Sequence, residues 1–154
     1  MNIDESMLNR LTRLEREVER LRVGDKADST AFGRPVFLTT PLTSTSWDGD
    51  ARSTTSPTKI DTSVVFGVPA GVKALMVRLV ARDSVAAPSG TPYFGIGPSS
   101  TRWYQLMVRP IGGDIHSESN GVCNCDANGD IYYSIKASGS LTMDCWIEIW
   151  GYWL

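Results

Sequence analysis

The chain has 154 residues, a formal net charge of −2 and 21% charged residues without a basic cluster, which argues against a nucleic-acid partner because such proteins carry a basic patch or stripe. No apolar run approaches the roughly 20 residues that cross a bilayer, and the N-terminus lacks the charged-then-apolar order of a secretory signal. Membrane insertion is therefore not expected, and synthesis in a cytoplasm is.

The first predicted element is a helix. Met7, Leu11, Leu14, Val18 and Leu21 fall at the alternating four-and-three spacing of a coiled-coil seam, with Leu11 and Val18 at position a and Met7, Leu14 and Leu21 at position d. In that register Arg10 and Glu17 are g residues, Glu15 and Arg22 are e residues, and the pairs Arg10 to Glu15 and Glu17 to Arg22 match a parallel arrangement. Val at a with Leu at d leans toward two strands, and Leu11 relaxes that preference. The sequence Arg10-Leu11-x-x-Leu14-Glu15 resembles the signature of short parallel three-stranded coiled coils, in which the Arg stem packs over the core and its head reaches the Glu. That resemblance implies a homotrimer. The competing interpretation is a single amphipathic helix on its own domain. Five acidic and five basic side chains within the first 22 residues count against it. About three heptads make a marginal helix, so another contact must help to hold the assembly. The expected division is a helix at residues 1–23, a polar connector at 24–34 beginning at Gly24, and a head at 35–154.

From Pro35 onward the apolar period changes to alternation with frequent turns, the pattern of an all-β domain. Strands are expected at Val36–Thr40, Lys59–Val65, Lys73–Arg82, Tyr93–Ile96, Trp103–Arg109, Ile131–Ala137 and Leu141–Tyr152, with a short one near Ile115 or Val122. No second helix is evident. Leu75, Val77, Leu79 and Ala81 form one apolar face of their strand, with Arg78 and Arg82 opposite. In the last strand, Leu141, Met143, Cys145, Ile147 and Ile149 oppose Thr142, Asp144, Trp146, Glu148, Trp150 and Tyr152. The aromatic content of that second face suggests a contact with a neighbouring head. Asn128-Gly129 and Ser138-Gly139 predict hairpins near the C-terminus. The fold class is mainly β, an antiparallel two-sheet sandwich of jelly-roll type behind a parallel trimeric coiled coil.

Candidate chemistry is sparse. Cys123, Cys125 and Cys145 form an odd set that fits a reducing compartment, and a zinc site would need His116 to complete it; the favoured interpretation is Cys145 as a small core residue in a strand, with Cys123 and Cys125 in or beside a loop. Asp126, Asn128 and Asp130 have the spacing that opens a calcium loop, but Ile131 stands where Gly is needed and Ala137 where the closing acid should be, which favours an ordinary Asn-Gly turn. No metal or cofactor is expected. Trp47-Asp48-Gly49-Asp50 offers an indole beside two carboxylates, suited to stacking on a sugar ring, or else a turn whose indole covers the core edge. With Trp103 and Tyr104 these form the ligand-binding candidates: Trp47, Asp48, Asp50, Trp103 and Tyr104. Asp48, Asp50, Asp114, Glu118, Asp144 and Glu148 supply no selected hydrolytic pair, and the nucleophile elbow and phosphate loop of acyl and phosphoryl transfer are missing. An enzyme is not expected.

The order of coil, connector and β head resembles the tail-fibre, short-fibre and head-fibre proteins of bacteriophages. The segments FLTTPLTSTSWDGD, residues 37–50, and FGVPAGVKALMVRLVARDS, residues 66–84, are similar in style to head domains of phage and prophage structural proteins. The resemblance implies a virion location, with the N-terminal coil facing other virion proteins and the head binding a host-surface ligand, a glycan suiting the aromatics. The short chain fits a stub fibre or small receptor-binding tip. The alternative is a capsid decoration or fibre-base protein with no host ligand.

Overall fold

A computed structural model describes residues 13–18, 33–85 and 91–154, with the side chains of residues 50 and 51 left aside. The chain divides into two units, Met1–Arg34 and Pro35–Leu154. In the first, residues 13–18 are helical, and the seam residues Leu14 and Val18 are exposed. Met7, Arg10, Leu11 and Leu21 lie outside the described residues.

The described residues of the second unit hold nine strands: β1 (Pro35–Leu42), β2 (Asp48–Arg52), β3 (Thr58–Ile60), β4 (Ala74–Asp83), β5 (Tyr93–Gly97), β6 (Leu106–Val108), β7 (Ser117–Asn124), β8 (Ile131–Lys136) and β9 (Met143–Trp153). All pairings are antiparallel. The first sheet runs β1-β9-β4-β7, with β2 also on β9, and the second runs β3-β8-β5-β6. Among the described residues, only β5 and β6 are both consecutive and paired. The expected C-terminal hairpins are thus corrected: Asn128-Gly129 leads from β7 to β8 and Ser138-Gly139 from β8 to β9, and each connection changes sheets.

Alternation along β4 and β9 fills the core. Leu75, Val77, Leu79 and Ala81 of β4 and Met143, Cys145, Ile147 and Ile149 of β9 are buried, and they join Phe94, Ile96, Ile131 and Ile135 of the second sheet in one apolar cluster. Two sheets therefore share one core. A bulge changes the phase of β9: Val77 faces Ile149 but Met76 faces Gly151, leaving Trp150 as the extra residue. Tyr152 consequently stands opposite Leu75 and packs against the core, a correction to its expected place beside Trp146 and Glu148. Leu141 is exposed in a turn with φ 55°, so the strand starts two residues later than expected.

Elsewhere local chemistry overrides the alternating pattern. The segment expected as one strand at 59–65 is β3 followed by a short helix, Thr62–Phe66, because the Asp61 carboxylate accepts the N–H groups of Ser63 and Val64 and caps a helical turn. Gly67, at φ 72°, ends it. The segment expected as a strand from Trp103 pairs only at Leu106–Val108, and the short strand expected near Ile115 or Val122 is β7, eight residues long, which includes Val122 and begins after Ile115.

Asp83, fully buried at the end of β4, ties several connections together. Its carboxylate accepts the N–H and hydroxyl of Ser138 and the N–H of Val85, and its carbonyl accepts the N–H of Asp114. Burial alone would raise its pKa; the donors from Ser138 and then Val85 outweigh burial and hold it below the usual carboxylate value. The stability it contributes is therefore present above the unfolded-state value and is lost as pH falls through the lower folded-state value. Asp83→Asn, which turns an amide toward a donor, is expected to lower stability by about 2–3 kcal/mol at neutral pH. In urea titrations the gap from wild type should narrow as the pH is taken below about 4.

Candidate functional site

The sequence-expected ligand residues separate in space. Trp47 is only 3% exposed: its ring stacks on Phe94 at 5.7 Å, meets Tyr133 edge-on at 4.7 Å and carries the Arg52 guanidinium at 3.9 Å. This corrects its assignment as a sugar platform, because its faces are occupied by protein. Asp48 is exposed and stands opposite Trp146 across the β2–β9 pair. The indole beside that carboxylate is thus supplied by the facing strand, not by the preceding residue. The side chain of Asp50 lies outside the described residues.

Trp103 and Tyr104 sit together on the second sheet. The segment after β5 folds back over it, and an added Cβ at Gly97 would fall 1.7 Å from the Arg102 carbonyl oxygen, so only glycine admits this approach. Trp103 lies over Gly95, stacks on Tyr93 at 4.9 Å and meets Tyr104 edge-on at 5.4 Å. Tyr104 is 57% exposed and borders a depression of about 330 Å3 with Arg102, Gln105 and Asn124.

The outer face of the first sheet carries a more diverse group. Arg78 binds Glu118 at 2.6 Å and Glu148 at 3.2 Å; Arg82 binds Asp114 at 3.1 Å and Asp144 at 2.5 Å. Alternation explains the pairs, since Arg78 opposes Glu148, and Arg82 opposes Asp144, in the β4–β9 register. Hydrogen bonds donated by Arg78 to Glu118 and then to Glu148 push its pKa up, and the bond that Arg82 donates to Asp144 does the same for Arg82, in each case against some desolvation. Each guanidinium thus bridges two carboxylates.

Trp146 lies between these bridges. His116 meets its ring at 5.2 Å, Arg82 stands 5.8 Å away, and an added Cβ at Gly49 would fall 2.7 Å from its Cζ2. Val80, Trp146, His116, Arg78, Glu118 and Glu148 line an open depression of about 350 Å3 together with Ser117. An apolar floor, an indole, a guanidinium fork and two carboxylate acceptors can hold a small polyhydroxylated molecule by stacking and paired hydrogen bonds. For hydrolysis the arrangement is less suited, because Arg78 joins the two carboxylates that would have to act across an open gap. Sequence alternation places Trp146 and Glu148 on this face; it does not reveal Glu118 or His116, which arrive on β7 and the loop before it.

The calcium-like segment is already satisfied from within. Asp126 accepts the N–H groups of Asn128 and Asp130, while Asp130 accepts the Thr62 N–H and binds the Lys59 ammonium at 2.6 Å. Among the described residues no group of three His, Cys, Asp or Glu side chains is arranged to hold a metal. No family model matches the chain, and a search of curated proteins finds no match to it.

Cys123 and Cys145 are buried and Cys125 is half-buried. Burial raises all three thiol pKa values, those of Cys123 and Cys125 to about 12. At pH 8 the folded protein should react with a thiol-specific disulfide reagent about a thousandfold more slowly than the urea-unfolded chain, following the loss of thiolate. A fast thiol in the folded state would contradict this burial.

Proposed function

We propose that this chain is a homotrimeric phage virion protein, a stub fibre or tip, whose head adheres to a host-surface carbohydrate without chemical turnover. In this interpretation residues 1–23 form a parallel three-stranded coil that joins other virion proteins, residues 24–34 connect it, and residues 35–154 are a jelly-roll sandwich. The strand order supports the jelly roll, because its two Greek keys alternate between sheets as β1/β2-β9-β4-β7 and β3-β8-β5-β6 do here. The exposed Leu14 and Val18 suit a seam awaiting partners.

The observation that carries adhesion is the Trp146 depression, where an indole, Arg78, Glu118 and Glu148 converge on a rigid sheet rather than on loops. Trp103 and Tyr104 form a second aromatic shelf of the kind that stacks on a sugar. Three copies of a weak site on one particle raise avidity by about 10²–10⁴ when the target is multivalent. A structural decoration without host ligand is the competing interpretation, and it is favoured by the way Arg78 and Arg82 already have carboxylate partners in the chain.

A glycan array and host-cell binding assay with the full chain separate the two. Trp146→Ala is expected to weaken retained binding by at least about tenfold while the fold is kept, since the ring is a half-buried surface contact. Trp47→Ala should instead lose binding only through unfolding, at a cost of about 3–5 kcal/mol. Absence of any glycan or cell binding by wild type at high trimer concentration would favour the decoration.

A further inference from the structure

The outer face of the first sheet is sorted along its strands. One end carries the charged bridges of Arg78 and Arg82. Toward the other end, Phe37 of β1 opposes Gly151 of β9, Gly151 opposes Met76 of β4, and Met76 opposes Val122 of β7. Directly opposed residues project from the same face, and Met76 alternates with the buried Leu75 and Val77, so this row lies on the outer face. Phe37 is 69% exposed, Val122 47%, and Trp150, the extra residue of the adjacent bulge, 36%. The following row, Pro35, Trp153, Ala74 and Asn124, adds no charge.

We propose that this apolar row is the contact through which the heads of neighbouring copies of this chain pack; the proposal rests on the self-association stated above and identifies the surface that carries it. An uncharged row crossing four strands, with an exposed Phe, Val and Trp, is a surface that marks association. Its occupant follows from connectivity. Pro35, in the outermost of these rows, is where the second unit begins and the first 34 residues join. Copies joined through their N-terminal helices are tethered at this end by the connector at 24–34, whose 11 residues span at most about 40 Å. Such a tether sets an effective concentration in the millimolar range, about what a shallow contact needs. The charged end of the face, with its partners already in the chain, stays open beside the Trp146 depression.

Sedimentation equilibrium of the full chain over a wide dilution series tests the contact. Phe37→Glu and Val122→Glu, made singly, are each expected to raise the dissociation concentration by at least about tenfold with circular dichroism unchanged. Phe37→Leu should stay near wild type, and so should Val64→Glu, at a residue 80% exposed on the helix Thr62–Phe66. An oligomer whose dissociation concentration is the same in wild type, Phe37→Glu and Val122→Glu would overturn the proposed contact and leave adhesion untouched. A wild type that is monomeric throughout would overturn self-association itself, and a monomer whose thermal midpoint falls in Phe37→Glu would assign the row to the chain's own segment instead of a second copy.

Discussion

The antiparallel pairing of β4 with β9 is the constraint on which the rest of the molecule depends. These strands occupy the middle of the first sheet and remain in register from Ala74 with Trp153 to Asp83 with Met143, interrupted by a single bulge. Because side chains alternate about each strand, one ladder decides both faces at once. The inward set supplies Leu75, Val77, Leu79, Cys145, Ile147 and Ile149 to the core, and the outward set brings Arg78 to Glu148 and Arg82 to Asp144. A one-residue slip would bury the arginines and expose the core. The bulge at Trp150 is a controlled version of that slip, turning Tyr152 inward at the end of β9 while Trp146 and Glu148 remain outward.

The charged bridges are better understood as positioning than as stabilisation. Exposed ion pairs contribute about 0–1 kcal/mol each, a small stabilisation for two arginines, three sheet carboxylates and Asp114 of the turn before β7. Their geometric effect is larger, since a planar guanidinium gripped from two sides cannot swing freely, and the acceptors around it are fixed with it. A ligand entering beside Trp146 would therefore meet groups that are already ordered, and less entropy would be lost on binding. The contrast with the Asp126–Asp130 turn is instructive. There Asp126 is committed to backbone donors and Lys59 holds Asp130, so a pattern suited to a cation is used to close a turn.

Much of the fold was legible because it follows from period-two alternation. The buried faces of β4 and β9 can be read directly from their apolar spacing, and the turn residues at Asn128-Gly129 and Ser138-Gly139 mark real reversals. What those turns do not disclose is whether the next strand joins the same sheet, since register and sheet assignment depend on distant partners. Capping at Asp61 was equally hidden, because Val64 and Val65 extend a plausible strand pattern that a side-chain cap overrides. The site was less legible than the fold. Trp47 and Asp48 are neighbours in sequence, yet the first turns into the core and the second reaches the Trp146 face. His116 and Glu118 became relevant only when β7 was placed beside β4. A site assembled from facing strands leaves no contiguous motif to read.

The same sheet face reconciles two weak elements of the proposed assembly. A helix of about three heptads is marginal in isolation, and a shallow apolar row is a poor contact between free heads. Joined by a short connector, each reduces the entropy the other must lose: a formed coil holds the heads at high local concentration, and packed heads hold the helices near one another. The two contacts then form together over a narrower range of concentration than either would show alone. In the proposed assembly, an apolar end next to Pro35 and a charged end next to Trp146 would let both demands be met, because a self-contact buried among Arg78 and Arg82 would have to strip water from charges that gain nothing by losing it.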